Sequence, residues 1–322
     1  MASAKDIKKK IRTISNTKKI TRTMEMVATV KSKRGQDRLK AMLPASDMLF
    51  EMLRNLKLSG TVSHPLLGRT EAATGPWETG AEARGRSRAP QRMVEVGKSP
   101  TTLVLVVSGN RGLCGGYNAN VLTLAERFLE AQAAAGRKTE VHMVGKKGIS
   151  RFRFRKIPMA KSIATIGDNP TLGDAEELLR TFVDRFLAGE VGRVVVIATR
   201  YLSSSVQKPI EFQLLPLAIL PPKAELTLGA APAPRQGLEF IYVPDMKDVL
   251  EALVPLVVKV VLFRMLVEAR TSEHVARRVA MKMATDNAEQ MIHTFTTRYN
   301  RQRQAGITKQ IMEVVGGAQA LE

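Results

Sequence analysis

The sequence predicts an α/β protein with long helices, in which an antiparallel coiled coil of the N- and C-terminal helices accompanies a small α/β domain. Three observations predict it. Both ends of the chain carry apolar residues at steps of three and four over long stretches nearly free of Gly and Pro. A block between them reads strand, Gly-rich turn, helix. Each terminal stripe is too incomplete to bury a helix alone, so the two ends pack on each other.

The first helix spans 1–58. Its only Gly is Gly35 and its only Pro is Pro44, where a bend is expected. Ile7, Ile11 and Ile14, then Ile20, Met24 and Val27, define one stripe, broken and restarted near Lys18. Residues 59–100 are rich in Gly, Pro, Arg, Thr and Glu, contain the single Trp77, and read as a loop or insert.

Residues 101–243 form the α/β domain. Thr102 to Val107 (TLVLVV) is an apolar, β-branched run of strand length, followed by the turn SGNRGLCGG and the helical NANVLTLAERFLEAQ. That order is the start of a βαβ unit and makes the domain Rossmann-like. Val141 to Val144 and Val194 to Ala198 are further strands, and Leu178 to Leu187 is a helix with Leu178, Leu179, Phe182, Val183, Phe186 and Leu187 on one side. Pro209 to Leu217 and Leu238 to Val243 read as extended. The last helix occupies 244–322, with a kink or restart at Pro255. Val257, Val261 and Met265, then Val275, Val279 and Met283, then Met291, Phe295, Ile307, Ile311 and Val314 recur along it. At about 1.5 Å per residue, Leu256 to Val315 alone is roughly 90 Å long.

Composition narrows the function. The net charge is +20, and residues 5–40 hold thirteen Lys or Arg against three Asp or Glu, half of that excess. Such a segment is either a solvated helix face or the contact for an acidic partner lying alongside, because exposed charges are screened beyond about 8 Å at physiological salt. One cysteine, Cys114, permits no intramolecular disulfide, which fits a reducing compartment. The longest apolar run, Leu253 to Met265, contains Pro255, Lys259 and Arg264 and is too short to span a membrane. The opening MASAKDIKKK has neither an apolar core nor a presequence pattern, so a soluble bacterial protein is expected.

No catalytic constellation emerges. The glycines at 109, 112, 115 and 116 match no phosphate-binding fingerprint and no Lys follows them, so the loop reads as a tight strand-to-helix connection. His64, His142, His274 and His293 are scattered, leaving Cys114 without an evident base and no cluster for a metal. No cofactor is expected. The basic first helix has no aromatic before Phe50, which argues against base stacking and hence against nucleic acid as partner. Met24, Met26, Met42, Met48 and Met52 fit core packing or an adaptable contact surface.

At both ends the chain resembles the ATP synthase gamma subunit family. AKDIKKKIRTISNTKKITRTMEMVATV (Ala4 to Val30) is similar to the family's opening helix, and Ser272 to Ala318 to its closing one, through SEHVARRVAMKMATDN and YNRQRQAGITKQIMEVV. RGLCGGYNAN and QLLP, from Gln213 to Pro216, match as well. The resemblance implies a non-catalytic central stalk. Its coiled coil would turn inside a hexameric ring of alpha and beta subunits, with the α/β domain near the epsilon subunit and the c-ring, at the cytoplasmic face of the bacterial inner membrane. It assigns rotor–ring coupling to Met24, Arg277, Arg303, Gln304, Thr308 and Glu313.

Several positions depart from the family pattern. Asn110 stands where an Asp is usual, Ser32 where a Met is, and Lys309 and Gln310 where Gln and Glu are. The 60–100 segment is longer than typical. The rival readings are a basic helical nucleic-acid-binding protein and a nucleotide enzyme built on the Gly-rich loop.

Overall fold

Two helices of 56 and 74 residues, α1 (Ala4–Ser59) and α5 (Met246–Gln319), flank a five-stranded sheet in sequence. The computed structural model describes residues 4–59, 64–67, 99–217 and 245–319. Most of the 59–100 insert, Trp77 included, and the expected extended segment Leu238 to Val243 lie outside the described residues. Both helices run unbroken through Pro44 and Pro255, so the restart expected at Pro255 does not occur. The residues four positions earlier, Lys40 and Glu251, are exposed. Water can therefore take the hydrogen bond that each proline removes.

The chain packs as two compact units. The first comprises Met1–Lys31, Leu113–Gly115 and His274–Glu322. In it, Lys18 pairs with Glu289 at 2.9 Å and the hydroxyls of Thr21 and Thr285 lie 2.8 Å apart. An earlier α1 residue meets a later α5 residue, so the helices are antiparallel. Among the shielded positions of α1, Ile7, Ile11, Ile14, Lys18, Thr21, Glu25 and Ala28 alternate steps of four and three without a break, with Ser15 and Met24 half-buried beside them. Ile20 and Val27, 59% and 55% exposed, lie off this seam. The expected break near Lys18 is thus absent: the heptad continues through polar and small side chains that an apolar count passes over. On α5 the same alternation runs from His274 through Arg278, Met281, Thr285, Ala288, Ile292, Phe295 and Tyr299 to Gln302.

The second unit comprises Ser32–Gly112 and Gly116–Glu273. Its strands are β1 (Thr101–Val107), β2 (Lys138–Val144), β3 (Lys161–Ile163), β4 (Arg193–Tyr201) and β5 (Gln207–Leu215), in the order β3-β2-β1-β4-β5. All neighbours are parallel except β4 and β5. The helices α2 (Tyr117–Ala134), α3 (Lys146–Phe154) and α4 (Leu172–Leu187) connect the strands. Leu103, Leu105 and Val107 pack with α4, α5 and the end of α1, while Val104 and Val106 pack with Val121, Leu122, Phe128 and Phe152 on the other face. A strand covered on both faces needs apolar residues at every position, which is why TLVLVV does not alternate. The connection α3 to β3 was not foreseen, because KKGISRFRF buries only Gly148, Ile149 and Phe152 among charges. A capping box between Thr171 and Asp174 opens α4.

Within this unit α1 and α5 approach closely at Gly35. A Cβ there would stand 2.4 Å from Thr271 Oγ1 and 3.2 Å from its Cβ. The Thr271 hydroxyl donates to the Val267 carbonyl at 2.8 Å, which fixes its rotamer. Gly35→Ala should therefore lower stability by about 1–2 kcal/mol in urea titration, the clash outweighing the better helix propensity of alanine. Adding Thr271→Ala should recover most of that loss.

Glu140 on β2 takes a two-pronged ion pair from Arg185 of α4, at 2.6 and 2.8 Å, and a 3.0 Å contact from His142 Nε2. The Arg185 bonds, followed by that of His142, hold the Glu140 carboxyl down at about 2. Burial, opposed by Glu140, lowers the pKa of His142. In the unfolded chain Glu140 protonates near 4.5, so its contribution is complete above that pH and lost as the pH falls through about 2. The stability gap between wild type and Glu140→Gln should be constant above about pH 5 and close toward pH 2 in acid titration. His142 adds a separate loss that begins as the pH falls below 6.5, where the unfolded imidazole takes up a proton that the folded one refuses.

Candidate functional site

All six residues assigned to coupling fall in the first unit. Met24 is half-buried beside the α1 seam. Arg277 is buried and its guanidinium lies 3.3 Å from His274 Nδ1. Arg303, Gln304, Thr308 and Glu313 are exposed on α5. Antiparallel pairing of Thr21 with Thr285 matches Ala4, seventeen residues earlier, with Gln302, seventeen residues later. Past that point α5 has outrun the described part of α1, and every residue from 303 to 315 is exposed.

This extension has two sides. At 100° per residue, Gln304 and Thr308 share an arc with Ile307, Ile311 and Val315, and Val314 borders it. Glu313 lies on the other side, 3.5 Å from Lys309, an exposed pair of little energetic weight. The structure thus groups Gln304 and Thr308 with apolar neighbours, sets Arg303 at the edge, and separates Glu313. Sequence reasoning placed Ile307, Ile311 and Val314 in the packed stripe, yet they are exposed. The signal that finds them is helix length: α5 continues its period beyond the described part of α1. Met26, Met48 and Met52 are likewise exposed, whereas Met24 and Met42 are half-buried.

The exposed cations of α1 in this unit are Lys5, Lys8, Lys9, Lys10, Arg12, Lys19 and Arg22. Lys5, Lys9, Arg12 and Lys19 lie away from the seam, and Lys8, Lys10 and Arg22 flank it. From the Gly-rich loop, Leu113–Gly115 belongs here too, with Cys114 buried.

The rest of that loop belongs to the second unit, where its polar groups are already used. The Gly109 amide donates to Asn118 Oδ1 at 2.8 Å, and Asn118 Nδ2 to the Arg111 carbonyl at 3.2 Å. Asn110 donates to the Ile166 carbonyl at 2.9 Å and accepts from the Lys146 amide at 3.1 Å. A carboxylate there has no N–H for Ile166, so the departure to Asn suits this turn. Parallel α/β sheets take ligands outside the carboxyl ends of their strands. In this place α5 sets Arg270, bonded to the Ser108 and Ile166 carbonyls at 3.3 and 3.0 Å and to Glu273 at 2.9 Å. Glu273 in turn sits where a Gly109 Cβ would be 3.0 Å from its Cδ. The helix, through a buried ion pair, fills the crevice. Among the described residues no group of three or more His, Cys, Asp or Glu is placed to hold a metal ion.

A family profile described as ATP synthase matches residues 3–321. The chain is 38% identical over 322 residues to the ATP synthase gamma chain of Leptospira biflexa, covering 100% of both. The chain belongs to the ATP synthase gamma chain family. The gamma chains of Gemmatimonas aurantiaca and Moorella thermoacetica are 37% and 38% identical, again over 100% of both chains. Among solved structures, a chain of the Euglena gracilis mitochondrial ATP synthase, in an OSCP/F1/c-ring assembly, superposes with a TM-score of 0.62 at 18% identity, covering 99% of this chain and 94% of that one. A chain of the rotor of the same enzyme gives 0.57 at 17%, covering 94% and 98%. These likenesses show a gamma-chain fold with long terminal helices and a central sheet.

The buried Arg270–Glu273 pair can be probed by unfolding. Arg270→Met separates Glu273 from its guanidinium and should cost about 3–5 kcal/mol in denaturant titration. Arg270→Met with Glu273→Met should recover most of that.

Proposed function

We propose that this chain is the central stalk of an F-type ATP synthase, coupling ion-driven rotation of a c-ring to conformational change at catalytic sites on a surrounding alpha–beta ring. It is a non-catalytic subunit. The observation that carries the reading is the α5 extension, thirteen consecutive exposed residues with Ile307, Ile311, Val314 and Val315 on one side. A lone helix with that face is stable in water only at a cost, and a ring closed around it removes the cost. Asymmetry does the coupling. A shaft with different chemistry on each side presents a different face to each ring site as it turns, and so biases each site's equilibrium in turn.

In this reading 1–58 and 244–322 form the shaft and 101–243 the foot, which meets the epsilon subunit and the c-ring at the cytoplasmic face of the bacterial inner membrane. Arg303 and Gln304 exchange hydrogen bonds with ring loops at the shaft's edge. Thr308 adds a short contact, although its hydroxyl donates to the Gln304 carbonyl at 3.0 Å. Glu313, beside Lys309, meets the opposite side of the ring, while Arg277 and Met24 support the shaft further down. No helix among the described residues is long and apolar enough to cross a membrane, so membrane attachment in this reading comes through the complex.

Reconstitution with alpha and beta subunits tests the assignment. ATP hydrolysis should require this chain, and the chain alone should hydrolyse nothing; robust hydrolysis by the pure chain defeats the reading. Arg303→Ala with Gln304→Ala should lower coupled synthesis by about tenfold, the equivalent of one charge-assisted hydrogen bond lost at the rate-limiting step. Unchanged synthesis removes those two residues from the coupling set. Binding to duplex DNA with a steep salt slope would favour the nucleic-acid reading instead.

A further inference from the structure

From Val141 to Gly167 the chain has seven Lys or Arg and no Asp or Glu. Two of the seven are used internally: Arg151 and Arg155 both pair with the buried Glu126, at 2.8 and 3.3 Å. The remaining five, Lys146, Lys147, Arg153, Lys156 and Lys161, are exposed, and none is paired with a carboxylate among the described residues. Helix α3 sorts them. At 100° per residue, Lys146, Lys147, Ser150, Arg153 and Phe154 share one arc, opposite the buried Gly148, Ile149 and Phe152. Phe154 is 89% exposed, more than any other large apolar side chain among the described residues.

Neither feature serves the fold. Lys146 and Lys147 stand in the first turn of α3, which holds no acidic residue, and there they oppose the helix dipole. Phe154 leaves nearly its whole ring in water, while Phe152, two residues earlier, is fully buried. A face that costs the helix stability at one end and exposes an aromatic at the other has its use outside the chain.

We propose that this face of α3 docks on an anionic phospholipid surface, with Phe154 entering between headgroups and Lys146, Lys147 and Arg153 taking their phosphates. Three considerations select lipid over an acidic protein. The cations are mostly lysines, which protein interfaces exclude from their centres but anionic membranes attract. The single projecting aromatic needs a yielding layer, whereas on a protein it would need a dedicated pocket. The third rests on the rotor reading above: a turning shaft passes many positions, and a fluid headgroup layer, unlike a fixed partner, demands no register.

The test uses the complex reconstituted with alpha and beta subunits, carrying wild-type chain, Lys147→Glu with Phe154→Ser, or Lys147→Arg. Co-sedimentation is measured at low salt with vesicles of phosphatidylcholine alone and of phosphatidylcholine mixed with phosphatidylglycerol. One cation near an anionic surface is worth about fivefold in partitioning. The double variant should bind the mixed vesicles at least about tenfold more weakly than wild type, Lys147→Arg should bind like wild type, and pure phosphatidylcholine should bind none of the three. Equal binding by wild type and double variant overturns the proposal, as does equal binding to both vesicle types. If the double substitution instead weakens binding to duplex RNA while vesicle binding stays unchanged, the partner is nucleic acid and the proposal fails. ATP hydrolysis by all three complexes should be equal. Its absence even with wild-type chain would count against the rotor reading, while the vesicle comparison still decides the lipid contact.

Discussion

Close packing of two long helices along a heptad seam, in which small and hydroxyl-bearing side chains alternate with larger ones, is the constraint on which the rest of the molecule depends. Gly35 occupies a position where a larger side chain would hold α1 and α5 apart, and Thr271 fills the space that it leaves. A seam of this kind sacrifices apolar burial for proximity, so it recruits hydroxyl contacts such as Thr21 with Thr285. It also frees larger apolar residues, Ile20, Met26, Val27 and Val30, to face outward. Proximity inside the pair and an apolar outer surface are two results of one choice of side chains.

The second constraint is the way α5 serves the sheet. Its residues Val254, Val257, Val258, Val261 and Leu262 supply apolar surface to one face, and Arg270 with Glu273 caps the carboxyl ends of the strands. In most parallel α/β sheets that end is left open for a ligand. The same architecture here is closed by a buried ion pair whose hydrogen bonds go to loop carbonyls, so the region that would bind becomes a joint. Desolvation makes such a pair a poor source of net stability and a strong source of geometry. A helix that must keep its place on a sheet needs the latter.

The candidate coupling residues come from the resemblance rather than from residue chemistry. Arg303, Gln304, Thr308 and Glu313 are ordinary polar residues of a helix surface, and nothing in their spacing marks them. Their exposed surroundings became visible only when the register of Thr21 with Thr285 showed where α1 ceases to cover α5. The α3 face was missed for a different reason. Its charge is hidden within a net of +20, half of which lies in residues 5–40, although residues 141–167 hold no carboxylate.

By itself the sequence determined the class and the order of elements. Period-three-and-four apolar spacing at both ends points to long helices, and an apolar, β-branched run of strand length such as TLVLVV points to a strand. Those are local properties, written in side chains within a few positions of one another. Only the tertiary structure decided which face of α1 turns inward, that Pro255 interrupts nothing, and that Ile307 and Ile311 stay in water. It also decided that Asn110 serves two backbone groups 56 and 36 residues away. Each depends on what a distant segment supplies: a threonine opposite a glycine, a helix that runs out, a carbonyl at the end of another strand. Spacing along the chain cannot encode such partners, because burial is a property of pairs.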